Sequence, residues 1–243
     1  PYLASNAEGV FPGLVIGIPI HGDLTGKTNS KNWQYLLPSS WTGSNVLIDR
    51  ENTYIGMKER ILARVTPPDI TSSYPTINDS TYPTITEEIA GVKVARHSGP
   101  LTIGPLDMTG KKLLLLVDGN VNIVGEITNG FLAVLASNNI SVNPSVGTDA
   151  LTMDVDVRPW NVPAHITGIF FAQGTFSTGH DTVAARDRIL KINGSVIGMT
   201  NVIMERNNVG RYPVEFFNFQ PSLVTQLSEV GLRRKIVREL LNP

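Results

Sequence analysis

The sequence predicts a mainly β protein: a parallel, right-handed β-helix or solenoid with about twenty residues per rung, one inserted amphipathic helix and a C-terminal capping helix. Three observations lead there. Short apolar runs separated by small, turn-forming residues recur between Leu115 and Gly198, as expected of stacked supersecondary units. Gly and Pro supply 22 and 16 residues while only 17% of the chain is charged, the balance of a turn-rich β protein. Hydrophobic residues make up 41% of the 243 positions, enough to bury one sizeable core and too many for a disordered chain.

Residues 1–50 are read as N-terminal strands. In GLVIGIPIHGDLTG, Leu14, Ile16, Ile18 and Ile20 alternate, the period of a strand with one buried face. Residues 51–90 hold a helix and a Pro/Ser/Thr-rich loop. From Tyr54 to Val65 the period lengthens, and Met57, Ile61, Leu62 and Val65 fall on one helical face. Pro67 and Pro68 stop that helix, and the stretch to Thr86 reads as a long surface loop.

Residues 91–210 carry the rungs. The copies LLVDGNVNI, VLASNNISV, FFAQGTFST and LKINGSVIG overlay with Leu115, Val134, Phe170 and Leu190 equivalent in the first strand, and Val117, Ala136, Ala172 and Ile192 two residues on. In the second strand Val121, Ile140, Phe176 and Val196 correspond, and stepping back from Val121 and Ile123 reaches Leu101 and Ile103. The middle step is nearly double the others, so an irregular rung is expected in it, with Met153, Val155 and Val157 as its strand. Asp118-Gly119-Asn120, Ser137-Asn138-Asn139, Gln173-Gly174-Thr175 and Asn193-Gly194-Ser195 are the expected corners. The competing arrangement is a set of antiparallel hairpins, since DG and NG between apolar runs also favour those. Phase held by both strands and the corner favours stacking. Residues 211–243 leave the repeat; Leu232, Ile236 and Leu240 recur at helical spacing, which suggests a cap over an open end. The four segments together are read as one solenoid domain.

The runs GKKLLLLVDGNVNIVGEI, GFLAVLASNNISVNPSV, ITGIFFAQGTFSTG and LKINGSVIGMTNVIMERNNVGRYPVEFFNFQPSLV resemble a group of largely uncharacterised exported proteins of small-celled, candidate-phylum bacteria. Shared features are a G-N-x-x-I corner and an arginine just before a Pro-x-E-x-F-x-x-x-P close; HGDLTGKTNS and GMKERILARVTPP are similar to upstream parts of the same group. The resemblance implies an exported surface or pilus-associated β-solenoid and no particular reaction. It gives no role to residues 148–164.

Charge and chemistry narrow the function. Twenty Lys plus Arg against 21 Asp plus Glu leave a formal charge of −1, so no basic field exists to attract nucleic acid. No run is long and apolar enough to span a membrane as a helix, and no targeting segment is recognised. With no cysteine there is neither disulfide nor thiolate chemistry. Asp154 and Asp156 stand two apart with Arg158 next in line, so in a strand all three share a face. Such a row is the best acidic cluster for Ca²⁺ or for acid and base roles, though a solvated strand face explains it as well. Trp33, Tyr35 and Trp41 gather in a Ser- and Asn-rich stretch and suit stacking on sugar rings or anchoring a partner, or else packing of a first rung.

His21, His97, His165 and His180 lack the paired spacing of helix-borne metal sites, and no metal or other cofactor is expected. GDLTGKT is one residue short of a phosphate loop. The triplets at Asn78, Asn139 and Asn193 match the glycosylation pattern, with turn chemistry explaining the latter two. The expectation is therefore a non-enzymatic, exported cell-surface or appendage-associated structural or adhesive module, whose partners are other copies, other surface proteins or polysaccharide. The alternative is a carbohydrate-binding or carbohydrate-active solenoid of lyase or glycosidase type. A third reading is a regulator or adhesin gripping a partner through the terminal helix.

Overall fold

A computed structural model describes residues 53–82, 85–149, 162–182, 187–206 and 214–232. The chain begins there with α1 (Tyr54–Leu62), followed by β1 (Thr76–Ile77), β2 (Glu88–Ile89), β3 (Val92–Ser98), β4 (Leu101–Ile103), β5 (Leu106–Asp107), β6 (Lys112–Asp118) and β7 (Val121–Ile123). It continues through β8 (Ile127–Thr128), β9 (Phe131–Ala136), β10 (Ile140–Val142), β11 (Ile166–Ala172), β12 (Thr175–Ser177), β13 (Leu190–Gly198), β14 (Asn201–Ile203), β15 (Glu215–Asn218) and α2 (Pro221–Glu229).

The protein is mainly β, and its strands are overwhelmingly parallel. One sheet runs β1-β4-β7-β10-β12-β14, and the other runs β15-β13-β11-β9-β6-β3-β2. Among the described strands β2 and β3 alone pair antiparallel, and an isolated antiparallel bridge joins Thr148 to Ile189. At the corners β3–β4, β6–β7, β9–β10, β11–β12 and β13–β14 the chain passes from one sheet to the other, so the strands joined there belong to different sheets and cannot form a hairpin. The DG and NN dipeptides turn a corner instead.

Register agrees with the repeat over most of its length. Leu115 faces Val134 and Val117 faces Ala136; Val134 then faces Phe170 and Ala136 faces Ala172. In the other sheet Leu101, Val121, Ile140 and Phe176 follow one another. Two expectations are corrected. No rung lies between β9 and β11, because the two are hydrogen-bonded to each other; Met153, Val155 and Val157 are outside the described residues. The last copy is displaced by six positions: Val196, not Leu190, faces Phe170, and Gly198, not Ile192, faces Ala172. Ile192 instead continues the row Leu106, Ile127, Ile166. Asn193-Gly194-Ser195 is thus mid-strand, with Gly194 at φ +135 lying against Gly168.

Burial explains the two composition patterns. Strands β6 and β9 are buried almost end to end, since both faces of their sheet are covered. Inward side chains such as Leu115, Val134 and Phe170 meet Val121, Ile140 and Phe176 between the sheets. Outward ones, including Leu114, Leu116, Leu135 and Phe171, pack with Met57 and Ile61 of α1 and Leu223 of α2. Burying each such aliphatic or aromatic side chain stabilises the fold by about 1.5–3 kcal/mol. Strands β7 and β10 alternate buried and exposed, presenting Asn122 and Ser141 outward.

Thr53 caps α1 by accepting from the Gly56 N–H at 3.3 Å, and Met57 and Ile61 form the buried face as the spacing predicts. Its start is pinned to the corners: the Tyr54 hydroxyl donates to Asp118 at 2.8 Å, Lys58 pairs with Asp118 at 2.6 Å, and the Tyr54 N–H donates to Gln173 at 2.8 Å. The segment after Pro68 is no mere surface loop. Thr76 and Ile77 pair with Thr102 and Ile103, and Ile70, Ile77 and Ile85 are buried. Near the other end, α2 was not anticipated; it starts at Pro221, which suits the first helical position. The helix expected around Ile236 and Leu240, and the strand expected around Ile16, lie outside the described residues.

Candidate functional site

Two kinds of connection join the sheets. At the first corner, Gly119, Asn138-Asn139, Gly174 and Thr200 lie close together, linked by N–H to carbonyl bonds from Asn138 to Gly119, Gly174 to Asn138 and Thr200 to Gly174. The Asn139 side chain accepts from the Thr175 N–H at 2.8 Å, and Asn120 accepts from the Asn139 N–H at 3.1 Å. At the opposite edge the connections are long: 143–165, 178–189 and 204–214 all leave and return there. Their bases converge on one buried guanidinium.

Arg206 is only 6% exposed and uses its donors on four carbonyls. Nε donates to Thr178 O at 2.9 Å, Nη1 to Val146 O at 2.6 Å and Arg188 O at 2.9 Å, and Nη2 to Asn143 O at 2.9 Å. A planar fork of fixed donors suits this task as an ammonium does not. Burial lowers its pKa to about 10 against the opposing pull of Glu215 and Asp187, so it stays charged at neutral pH. Glu215 accepts from the Arg206 N–H at 3.3 Å and from the Thr178 hydroxyl, and burial moves its pKa upward.

Asp187 is buried and accepts from the Asp181 N–H at 2.7 Å while its other oxygen lies 2.7 Å from His180 Nδ1. The His180 ring is part-exposed. A buried carboxylate behind a solvent-facing imidazole is the arrangement that orients a general base. Among the described residues no hydroxyl is hydrogen-bonded to its Nε2.

His165 stands beside this cluster. Its Nδ1 accepts from the Lys191 N–H at 2.9 Å, which places the proton on Nε2, where it is donated to Thr148 Oγ1 at 2.8 Å. Burial, then Arg206 and Lys191, lower its pKa to about 4. His97 is buried in the column continued by Val117 and Ala136, with Nδ1 3.3 Å from Gly99 O and Nε2 without a partner.

The sequence-predicted site residues Trp33, Tyr35, Trp41, Asp154, Asp156 and Arg158 lie outside the described residues, as does His21. The segment carrying Asp154, Asp156 and Arg158 begins and ends at the Arg206 edge, since both Asn143 and His165 are placed there. Sequence reasoning singled out none of Arg206, Asp187 and Glu215. Only Glu215 carried a signal, as the acidic position of the Pro-x-E-x-F-x-x-x-P run.

Among the described residues no group of three or more His, Asp or Glu is disposed to hold a metal ion, and no helix is long and apolar enough to cross a membrane. In comparisons with known proteins, no family model, no curated protein and no solved structure matches this chain.

Proposed function

We propose that the chain is a parallel β-solenoid acting as a non-enzymatic scaffold on a cell surface or appendage, exported as its resemblance to other exported proteins implies. The observation that carries this reading is the unbroken order of parallel neighbours: Ala95, Leu115, Val134, Phe170 and Val196 succeed one another across five strands. Stacking of this kind makes a stiff body whose length grows with each circuit. The right-handed sense follows from the strong preference of parallel crossovers. Arg206 supports the scaffold role, because a single side chain ties together the described ends of three connections on one edge.

Surface display is tested by labelling intact and permeabilised native cells with antibody. Equal labelling of both supports export; labelling only after permeabilisation overturns it. Imaging of native material distinguishes filament, lattice and free molecules. A second reading, a carbohydrate-binding or carbohydrate-active solenoid, is favoured by the rooting of the Asp154, Asp156 and Arg158 segment at the fixed edge. Incubation with acidic and neutral polysaccharides separates the two. Turnover abolished by Asp154→Asn overturns the scaffold role.

A further inference from the structure

The two ends of the stack differ. Where it begins, Ile70, Ile77 and Ile85 are buried against the interior, and β2 and the Asp69 bridge lie beside β3. Where it ends, Phe217 continues the inward row of Leu106, Ile127, Ile166 and Ile192, yet it is 40% exposed. Val196 and Val202 pack on the same interior and are only partly buried. Ile203 and Met204, next in the chain, are exposed.

The backbone at this end is open as well. β14 is the last strand of the smaller sheet, and Ile203 O accepts from the Thr178 N–H at 3.1 Å, on the β12 side. Among the described residues no strand pairs with its other side. Proteins usually block such an edge with charge, Pro or a bulge. Residues 193–204 include no Asp, Glu, Lys, Arg or Pro. An unblocked edge beside an uncovered apolar interior is a seat for one more strand.

Residues 13–21 have the matching pattern. Leu14, Ile16, Ile18 and Ile20 alternate, so one face of a strand made by them is wholly apolar. Pro19 has no N–H, and in a strand its position faces the opposite edge from those of residues 14, 16, 18 and 20. Such a strand can bond one neighbour through the four apolar residues while Pro19 ends the sheet.

The segment is also within reach. Beside Thr53, where the described chain starts, the Tyr54 N–H donates to Gln173, and the adjacent Gly174 accepts from the Thr200 N–H at 3.0 Å on the corner leading into β14. The open edge is therefore about two strand spacings away, ~10 Å. A flexible chain the length of residues 22–52 spans on the order of 30 Å. The carboxy-terminal residues start elsewhere, since Gly231 lies against Arg64 at the end of α1 that leads to β3.

We propose that residues 13–21 add to β14 of the same chain as the last strand of the smaller sheet, with Leu14, Ile16, Ile18 and Ile20 laid over Val202 and Phe217. Tethering gives the segment an effective concentration of about millimolar, which favours it over the same segment of a second copy. This closure goes beyond the scaffold reading and does not depend on it: it keeps the open end from joining another molecule, wherever the protein works.

The test is hydrogen exchange of the full chain read by mass spectrometry, with sedimentation giving its oligomeric state. In the monomer, peptides covering 14–20 and 200–204 are expected to exchange at least tenfold more slowly than in Ile18→Pro, which removes a bonding N–H. Circular dichroism verifies folding. I16T/I18T, which keeps strand-forming residues but removes the apolar face, should release both peptides too and replaces Ile18→Pro should that variant not fold. Exchange of 14–20 at the rate of an unstructured chain, or protection of 200–204 unchanged in the folded variants, overturns the proposal. Protection that rises with protein concentration and accompanies a dimer assigns the seat to a second copy and overturns it as well.

Discussion

At the scale of single residues, Arg206 has the most to lose. Replacing it with Met leaves the carbonyls of Asn143, Val146, Thr178 and Arg188 without their donors and Glu215 without its counter-charge. We expect a loss of about 3–5 kcal/mol, read as a lower urea midpoint. Arg206→Lys should recover only part of this, because three rotating donors cannot reproduce the fork. His97 points the opposite way: its Nε2 is buried and unpartnered within an aliphatic column. His97→Met should raise stability by about 1 kcal/mol, measured as an increased Tm.

His165 gives the fold an acid dependence. Its folded pKa of about 4 lies below the unfolded value near 6.5, so the unfolded chain takes up the proton first as pH falls. Its contribution is whole above about 6.5 and fades towards 4. Urea midpoints should therefore drop across that window, less steeply in His165→Gln. The raised pKa of Glu215 acts with the reverse sign, favouring the folded state in acid. The environments of Arg206, His97 and His165 were not legible in the sequence. An isolated His or Arg carries no local pattern, and its environment comes from strands up to 63 positions away.

At the scale of elements, helix α1 was legible because an amphipathic period and a following Pro pair agree. Strands β4, β7, β10 and β12 were legible for a related reason: one face of each is buried, so a slip of one residue would expose it. The last register was misread because Asn193-Gly194 carries turn chemistry, yet the left-handed glycine is accommodated inside β13 beside another glycine, Gly168. Helix α2 was missed since the apolar residues of VEFFNFQPSL give neither period clearly. Strand order offers a direct check in a chain without cysteine. Asn122 and Ser141 are exposed register partners on β7 and β10, so N122C/S141C should oxidise to an intramolecular disulfide. Thr102 and Ser141 flank Asn122 on opposite sides, and T102C/S141C should not cross-link.

For the whole molecule, the successive apolar positions Leu101, Val121, Ile140, Phe176 and Val202 lie in neighbouring strands although the chain between them varies widely in length. The extra length is taken up wholly at the Arg206 edge. At the opposite corner a Cβ on Gly119 would come within 2.4 Å of Gly99 O, and there the connections stay two or three residues long. A four-residue Gly/Ser insertion after Asn138 should consequently abolish cooperative unfolding, whereas the same insertion after Asp181 should shift the urea midpoint by less than about 1 kcal/mol in equivalent stability. One seam is closed to novelty and the other is open to it. Descendants of this chain are free to acquire new loops, and with them new recognition, along a single flank without renegotiating the interior.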